Sequence, residues 1–240
     1  MRQLLLLCFT LMITLAQANF EKGVAFYQDK QYKKAISAFQ QDWDSTQNSA
    51  NLYNLGLSHL MLKQPEKALY YFEKTLKYDP NNTDAIYNAS HLFSEMNEGS
   101  YWQHPYSWIG RFVFKFSSNT WSYLSLFFAL LLGLSIFITL QPHQRSRKKI
   151  GQFGIVITFV FLATSTLAAK FSYEHFVATE FAYLPKTDIA TFISPGKNPT
   201  EVKLELNQRY KVNQQQDDFL QIQLKTGERI WVAQKDVLSY

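Results

Sequence analysis

The chain has 240 residues, of which 47% are hydrophobic and 18% charged, and its formal net charge is +5. A positive excess this small and dispersed does not favour nucleic acid as a partner. The single cysteine, Cys8, lies in an N-terminal apolar run, so a processed chain would have no disulfide, thiolate nucleophile or cysteine-based metal site.

The first segment, residues 1–18, predicts a secretory signal peptide. Arg2 supplies a positive start, residues 4–15 form an apolar run, and Ala16-Gln17-Ala18 has the small-x-small pattern of a cleavage site. Cleavage after Ala18 would begin the mature chain at Asn19, and an uncleaved anchor is the alternative. Either way, the signal directs the following residues across a membrane.

Residues 19–97 contain an internal repeat with a spacing of 33 residues, in which Gly23, Ala35 and Phe39 recur as Gly56, Ala68 and Phe72. The second copy adds Leu52, Leu55 and Pro80. This set is similar to the tetratricopeptide repeat, a pair of antiparallel helices. We predict two repeats, at about 16–48 and 49–82, and a capping helix at 84–96. The expected helices lie near 20–29, 32–43, 50–62, 65–78 and 84–96.

The resemblance implies a concave face lined by the first helix of each repeat. Asparagine can both donate to and accept from a peptide amide, and aromatic side chains add apolar contact area. The pattern therefore predicts a groove for an extended peptide or a partner's helix. The alternative is that the tyrosines pack between helices and the asparagines are solvated. The candidate binding residues are Tyr27, Tyr53, Asn54, Leu57, Tyr87, Asn88 and His91.

Residues 98–121 are rich in aromatic side chains and also contain Arg111 and Lys115. Such a composition is typical of a segment that lies along a membrane interface. A docking site for another membrane protein is the alternative. The aromatic residues concerned are Tyr101, Trp102, Tyr106, Trp108, Phe112 and Trp121.

Two uncharged stretches, 122–140 and 151–169, predict transmembrane helices. Each has nineteen residues and would be about 28 Å long, close to the thickness of the hydrocarbon core. Small residues recur at Ser125, Ala129 and Gly133 and at Gly154 and Thr158, a spacing that favours close packing as a helical hairpin.

The connecting segment, 141–150, is basic and has no acidic residue. Such a loop stays on the cytoplasmic side, so both flanking regions would face the opposite side. The residues that would determine this topology are Arg145, Arg147, Lys148 and Lys149.

The last segment, 181–240, reads as short strands separated by turn residues. Gly227 followed by Trp231-Val232 resembles the closing strand of a bacterial SH3-like barrel. The resemblance implies a small all-β domain that binds peptides or cell-wall components in some proteins. Phe219 and Trp231 would form its ligand face, or would instead belong to its core.

The predicted architecture is a multi-domain membrane protein with an α-helical repeat domain, a two-helix transmembrane hairpin and a small all-β SH3-like barrel. The order of these parts resembles the BatE-type proteins of the bacterial aerotolerance operon. The resemblance implies a multi-pass protein of the bacterial inner membrane with both terminal domains in the periplasm. Its expected neighbours are membrane proteins with von Willebrand factor A domains and a MoxR-type ATPase.

The expected function is that of a membrane-anchored scaffold for other membrane or periplasmic proteins. The alternative is a protein that binds peptidoglycan through its C-terminal domain. The sequence contains no P-loop, HExxH, GxGxxG or nucleophile-elbow motif. We therefore expect no enzymatic activity, no cofactor, no metal and no nucleic-acid partner.

Overall fold

The computed structural model describes residues 19–141, 145–178, 180–184, 189–205 and 208–240. The predicted signal peptide at 1–18 lies outside the described residues. The chain divides into two compact units. The described residues of Met1–Pro105 and Thr179–Tyr240 form the first, which we term the repeat–sheet unit. Tyr106–Ala178 forms the second, the hairpin unit.

Five helices form the first part of the repeat–sheet unit. Residue types that favour helix starts account for several boundaries: the side chains of Asn48 and Asn82 each accept a backbone hydrogen bond at the next helix, and Pro65 occupies the first position of another. The helices are α1 (residues 19–28 of the described chain), α2 (Tyr32–Thr46), α3 (Ser49–Met61), α4 (Pro65–Tyr78) and α5 (Thr83–Met96).

The sequence repeat corresponds to a repeated helix contact. A Cβ atom added at Gly23 would lie 2.6 Å from the ring of Phe39, and one added at Gly56 would lie 2.6 Å from the ring of Phe72. Each glycine therefore lets a phenylalanine of the next helix pack directly on the backbone. The spacing of 33 residues thus reports the same packing in two successive helix pairs.

A buried polar contact joins α2 to α3. Asp42 and Asn51 are both buried, and the Asn51 Nδ2 atom donates to Asp42 Oδ2 at 2.6 Å. Within the described part of the chain, the remaining oxygens, Asp42 Oδ1 and Asn51 Oδ1, have no hydrogen-bond partner. The helix pairs are therefore joined partly by a carboxylate that lacks its full set of donors.

The second part of the repeat–sheet unit is an antiparallel sheet. Its strands are β1 (Phe181–Tyr183), β2 (Thr191–Ser194), β3 (Lys197–Thr200), β4 (Arg209–Gln216), β5 (Phe219–Gln223), β6 (Arg229–Ala233) and β7 (Leu238–Ser239). They pair in the order β3-β2-β6-β5-β4-β1-β7, so the sheet is open and has two edge strands. The structure thus has an open sheet in the place of the predicted closed barrel.

One face of this sheet carries the core. Alternate residues of paired strands share a face, and Leu220 pairs with Val232 while Ile222 pairs with Ile230. All four are buried in one hydrophobic cluster, together with Ala182 and other apolar side chains. Gly227 has a φ of +90° in the tight turn between β5 and β6, a conformation that glycine adopts without strain.

The hairpin unit consists of α6 (Trp108–Phe114), α7 (Ser118–Leu140) and α8 (Arg145–Val177). By length and composition, Ser118–Leu140 and Lys148–Val177 could each cross a membrane. Helix α8 begins earlier than predicted, at Arg145, so the basic cluster forms the start of a helix rather than a loop. Residues 142–144 lie outside the described residues.

Small residues mediate the contact between α7 and α8, but they are not all those predicted. The Ser125 Oγ atom donates to Ser165 Oγ at 3.0 Å, and a Cβ atom at Gly154 would lie 2.8 Å from Ser135 Oγ. Ala129 is exposed and Gly133 has no neighbour within 4 Å of an added Cβ. Of the i+4 stripe on α7, Ser125 thus takes part in the contact, whereas Gly133 meets open space.

Candidate functional site

A hydrogen bond joins the first helices of successive repeats on the predicted binding face. The Asn88 Nδ2 atom on α5 donates to the Tyr53 hydroxyl on α3 at 3.1 Å and to the Asp84 carbonyl at 2.8 Å. Both side chains are half-buried. Within the residues that the structure covers, Asn88 Oδ1 has no hydrogen-bond partner, so it remains able to accept one from a ligand.

The surroundings of Tyr53 keep its hydroxyl neutral. Burial raises the pKa of Tyr53, and the negative charge of Asp84 raises it further. The ring lies 5.7 Å from that of Phe72, which holds it in place. Tyr53 therefore presents a fixed neutral hydroxyl whose proton can be donated to a carbonyl group.

The other predicted residues of this face divide into two groups. Asn54 and Leu57 are half-buried on α3, and Tyr27 packs against Tyr32 with 5.4 Å between ring centroids. Tyr87, in contrast, is 67% exposed and stacks on His91 at 6.2 Å. The structure brings Tyr53 and Asn88 together, whereas Tyr87 and His91 form a separate exposed pair on α5.

Phe219 and Trp231 lie on the sheet face opposite the core cluster. Phe219 is half-buried and packs against Phe192 with 5.6 Å between ring centroids. Trp231 pairs with Phe192 across β2 and β6 and exposes 6% of its surface. Trp231 therefore offers little area to a ligand.

The residues with a predicted role in topology lie at the start of α8. Arg145, Arg147, Lys148 and Lys149 all belong to this helix, and Lys148 and Lys149 are exposed. They form a positive cluster at one end of the hairpin.

A second cluster, which the sequence did not predict, surrounds the buried carboxylate of Glu73 on α4. Its Oε1 atom accepts hydrogen bonds from Trp102 Nε1 at 2.7 Å, from Arg209 Nη1 at 2.9 Å and from the Tyr183 hydroxyl at 3.3 Å. Its Oε2 atom accepts from the Tyr240 hydroxyl. We term these five residues the Glu73 cluster; it ties α4 to the sheet and to the segment after α5.

The charges in this cluster stabilise each other. Burial by itself lowers the pKa of Arg209, but the charge of Glu73, together with Tyr240, Tyr183 and the hydrogen bond to Glu73, outweighs this effect and leaves the pKa raised. Burial and the charge of Glu73 together raise the pKa of Tyr183 well above its usual value. The arginine thus stays charged and the tyrosine neutral, and both donate to the carboxylate.

Other α4 residues extend the contact with the sheet. Tyr70, one turn before Glu73, donates its hydroxyl to the Ser239 carbonyl at 2.9 Å. Lys77, one turn after Glu73, is also buried, and this burial lowers its pKa. Tyr70, Glu73 and Lys77 therefore form a stripe at helical spacing that the sheet covers.

Periodicity could not identify this cluster, because its other members are separated from Glu73 by 29 to 167 residues. A weak signal was present in α4. Tyr70, Glu73 and Lys77 share one face of the helix, and the apolar residues Leu69, Phe72 and Leu76 occupy another. A tyrosine on the same face as the charged residues indicates that this face is not fully solvated.

The cluster resembles a structural ion pair more than a reactive site, because every carboxylate oxygen of Glu73 already accepts a hydrogen bond. Throughout the described ranges, no group of three or more His, Cys, Asp or Glu side chains is placed to hold a metal ion. The polar chemistry of this unit is therefore that of binding and of packing.

Comparison with known proteins identifies one of the helix pairs. Residues 51–82, which cover most of α3 and all of α4, match the tetratricopeptide repeat family. Over 84 residues the chain is 32% identical to a protein of Guillardia theta named uncharacterized protein ycf37. The match covers 32% of this chain and 47% of that relative, so the chain spans about half the length of the relative it matches.

Proposed function

We propose that this protein is a membrane-anchored adaptor whose tetratricopeptide repeats bind an extended segment of a partner protein. Tetratricopeptide repeats imply protein–protein interaction in general. The observation that carries the proposal here is the Tyr53–Asn88 hydrogen bond, because it fixes a donor and an acceptor between two helices of the face that arrays of this type use for binding.

The position of the sheet supports the assignment of the binding face to the first helices of the repeats. It packs on the Tyr70–Glu73–Lys77 stripe of α4, so this side of the repeats is occupied by the chain itself. Tyr53, Asn54 and Leu57 lie on α3 and remain half-exposed. A partner would therefore approach the face formed by the first helices.

The two flanking segments support a specific topology. Glu73 precedes the hairpin and Arg209 follows it, yet they share a partly buried ion pair of 2.9 Å within one compact unit. If α7 and α8 both cross a membrane, the chain returns to the side from which it started. The basic residues at 145–149 would then mark the opposite, cytoplasmic side.

In a bacterial cell, this topology would place the repeat–sheet unit outside the inner membrane. The resemblance of the assembled parts to BatE-type proteins suggests membrane proteins with von Willebrand factor A domains as partners. The adaptor would then hold a segment of such a protein close to the membrane surface.

Site-specific photo-crosslinking tests the binding face. We expect a crosslinking residue at Leu57, in the full chain in its native membrane, to give a discrete adduct. The same residue at Gln215, exposed on β4, is the control and should give none. Asn88→Ala should weaken the adduct about fivefold, the effect of losing roughly 1 kcal/mol of hydrogen bonding. Equal adducts at both positions, or none at Leu57, would refute the proposal.

Cysteine labelling tests the topology. In a Cys8→Ser background, single cysteines at Asn82 and Gln215 should react with an impermeant reagent added to spheroplasts, and a cysteine at Gln144 should react only after lysis. Labelling of Asn82 and Gln215 from opposite sides would contradict the proposed arrangement.

A further inference from the structure

The hairpin unit contains an apolar groove of about 660 Å³ between α6, α7 and α8. Aromatic and aliphatic side chains from all three helices line it. The main contributors are Phe112 and Phe116 on or beside α6, Leu124 and Phe128 on α7, and Phe161 and Phe171 on α8.

The polar atoms within the groove are already satisfied by the helices. The Thr164 Oγ1 atom donates to the Val160 carbonyl at 3.0 Å, and the Ser165 Oγ atom donates to the Leu162 carbonyl at 3.1 Å. The groove thus offers no unsatisfied hydrogen-bonding group from these residues, which favours an apolar occupant.

The dimensions of the groove match one leaflet of a bilayer. On α7 it runs from Thr120 to Phe128 and on α8 from Phe161 to Phe171. At the helical rise these segments are about 12 and 15 Å long. The hydrocarbon core is roughly 30 Å thick, so the groove would extend through one leaflet only.

Positive charge lies beside one of the residues that line the groove. Lys115 follows α6 directly, and its Nζ atom lies 6.0 Å from the centroid of the Phe116 ring, which lines the groove. Arg111 lies one helical turn before it. Between Glu98 and Glu180 the sequence contains one acidic residue, Glu174, which pairs with Lys170 at 3.8 Å.

We propose that this groove binds an acyl chain of an anionic phospholipid, with the phosphate next to Lys115. The lipid belongs to the leaflet at the end of the hairpin opposite residues 145–149. A partner's transmembrane helix fits less well, because helix interfaces in membranes favour small residues and this groove is lined by bulky ones. The inference rests on the proposed membrane insertion of α7 and α8.

Photo-crosslinking with lipids tests the inference. The full chain is reconstituted into vesicles of phosphatidylcholine and phosphatidylglycerol in which either lipid carries a diazirine on one acyl chain. We expect labelling of groove residues, with phosphatidylglycerol favoured about tenfold, as expected for one charge-assisted headgroup contact.

Two pairs of variants make the test specific. Thr164→Trp should fill the groove from an exposed position and abolish groove labelling, whereas Ala163→Trp, which places the same side chain on the adjacent exposed position outside the groove, should not. Lys115→Glu should remove the preference for phosphatidylglycerol, and Lys115→Arg should keep it. Circular dichroism of each variant checks that the helices are retained.

The remaining outcomes are distinguishable. If the protein is integral to the vesicles but Thr164→Trp and the wild type are labelled equally, the lipid site is refuted and the adaptor proposal stands. A protein crosslinked through the groove in native membranes, with no lipid labelling, also refutes it. If alkaline carbonate extracts the protein from the vesicles, both the membrane anchor and the lipid site are refuted.

Discussion

At the scale of single residues, the contact between Asp42 and Asn51 shows how a buried carboxylate constrains its neighbours. The only hydrogen bond between these two side chains runs from Asn51 Nδ2 to Asp42 Oδ2. The Thr46 hydroxyl, which donates to the Asp42 carbonyl at 2.8 Å, also lies 3.3 Å from Oδ2, but two further oxygens at this contact have no donor among the described residues, so the asparagine amide supplies the one short hydrogen bond to the carboxylate. The contact should therefore tolerate very little change in charge.

Asn51→Asp should destabilise the repeat–sheet unit by about 3 kcal/mol or more, since it removes the donor and places two buried carboxylates together. Chemical denaturation of the wild type and the variant measures the loss. A variant as stable as the wild type would contradict this explanation.

Tyr70 gives a second prediction at this scale, concerning alkaline pH. Burial raises the pKa of Tyr70 to about 12, whereas the hydroxyl in an unfolded chain titrates near 10. The folded state therefore holds a proton that the unfolded state releases, and the resulting stability is present below pH 10 and is lost between pH 10 and 12.

Tyr70→Phe should accordingly lower stability at pH 8 by about 1 kcal/mol, through loss of the hydrogen bond to Ser239. It should also make the decline between pH 10 and 12 shallower, so the two stability curves converge. Denaturant melts across this range provide the measurement, and parallel curves would show that Tyr70 does not contribute to the decline.

At the scale of helices and strands, the repeat could be predicted because its packing is local and periodic. Gly23 and Phe39 lie on the two helices of one pair, as do Gly56 and Phe72, so the same residue types recur at the same spacing. The aromatic segment at 98–121 shows the limit of such reasoning. Trp102 is buried beside Glu73, whereas Trp108 is exposed, and composition does not distinguish the two.

Gly56→Ala tests the helix contact. The new methyl group would lie 2.6 Å from the Phe72 ring, so the ring must shift, at a cost of about 1–3 kcal/mol. Gly133→Ala, where the added atom meets open space, is the matched control and should not destabilise its helix. Thermal unfolding, together with hydrogen exchange of α3 and α4, compares the two variants. Equal losses of stability in both would argue against the close contact.

At the scale of the whole molecule, the Glu73 cluster determines which segments fold together. Its five residues come from α4, the segment after α5, β1, β4 and the residue after β7, and no sequence spacing relates them. The sequence predicted the repeat helices and a strand-rich region at 181–240, but not β1 or this contact, because long-range pairing depends on tertiary packing rather than on local pattern.

Glu73→Gln should leave the largely buried Arg209 without its counter-charge, at a cost of about 3–5 kcal/mol. We expect faster hydrogen exchange in β1, β4 and β7, with little change in α7. The control is Glu205→Gln, which breaks the exposed pair with Lys225 at 2.6 Å and should cost less than about 1 kcal/mol. Equal protection of the β4 amides from hydrogen exchange in both variants would show that the Glu73 cluster does not stabilise the sheet.

The distance of 136 residues between Glu73 and Arg209 also has a consequence for biosynthesis. At typical elongation rates, the ribosome reaches the arginine on the order of ten seconds after the glutamate. During that interval the nascent α4 carries a carboxylate whose cationic partner has not yet been made, while the intervening hairpin is being produced. The amino-terminal helices therefore spend this interval without the sheet that covers the Tyr70–Glu73–Lys77 stripe, until residues 181–240 have been made.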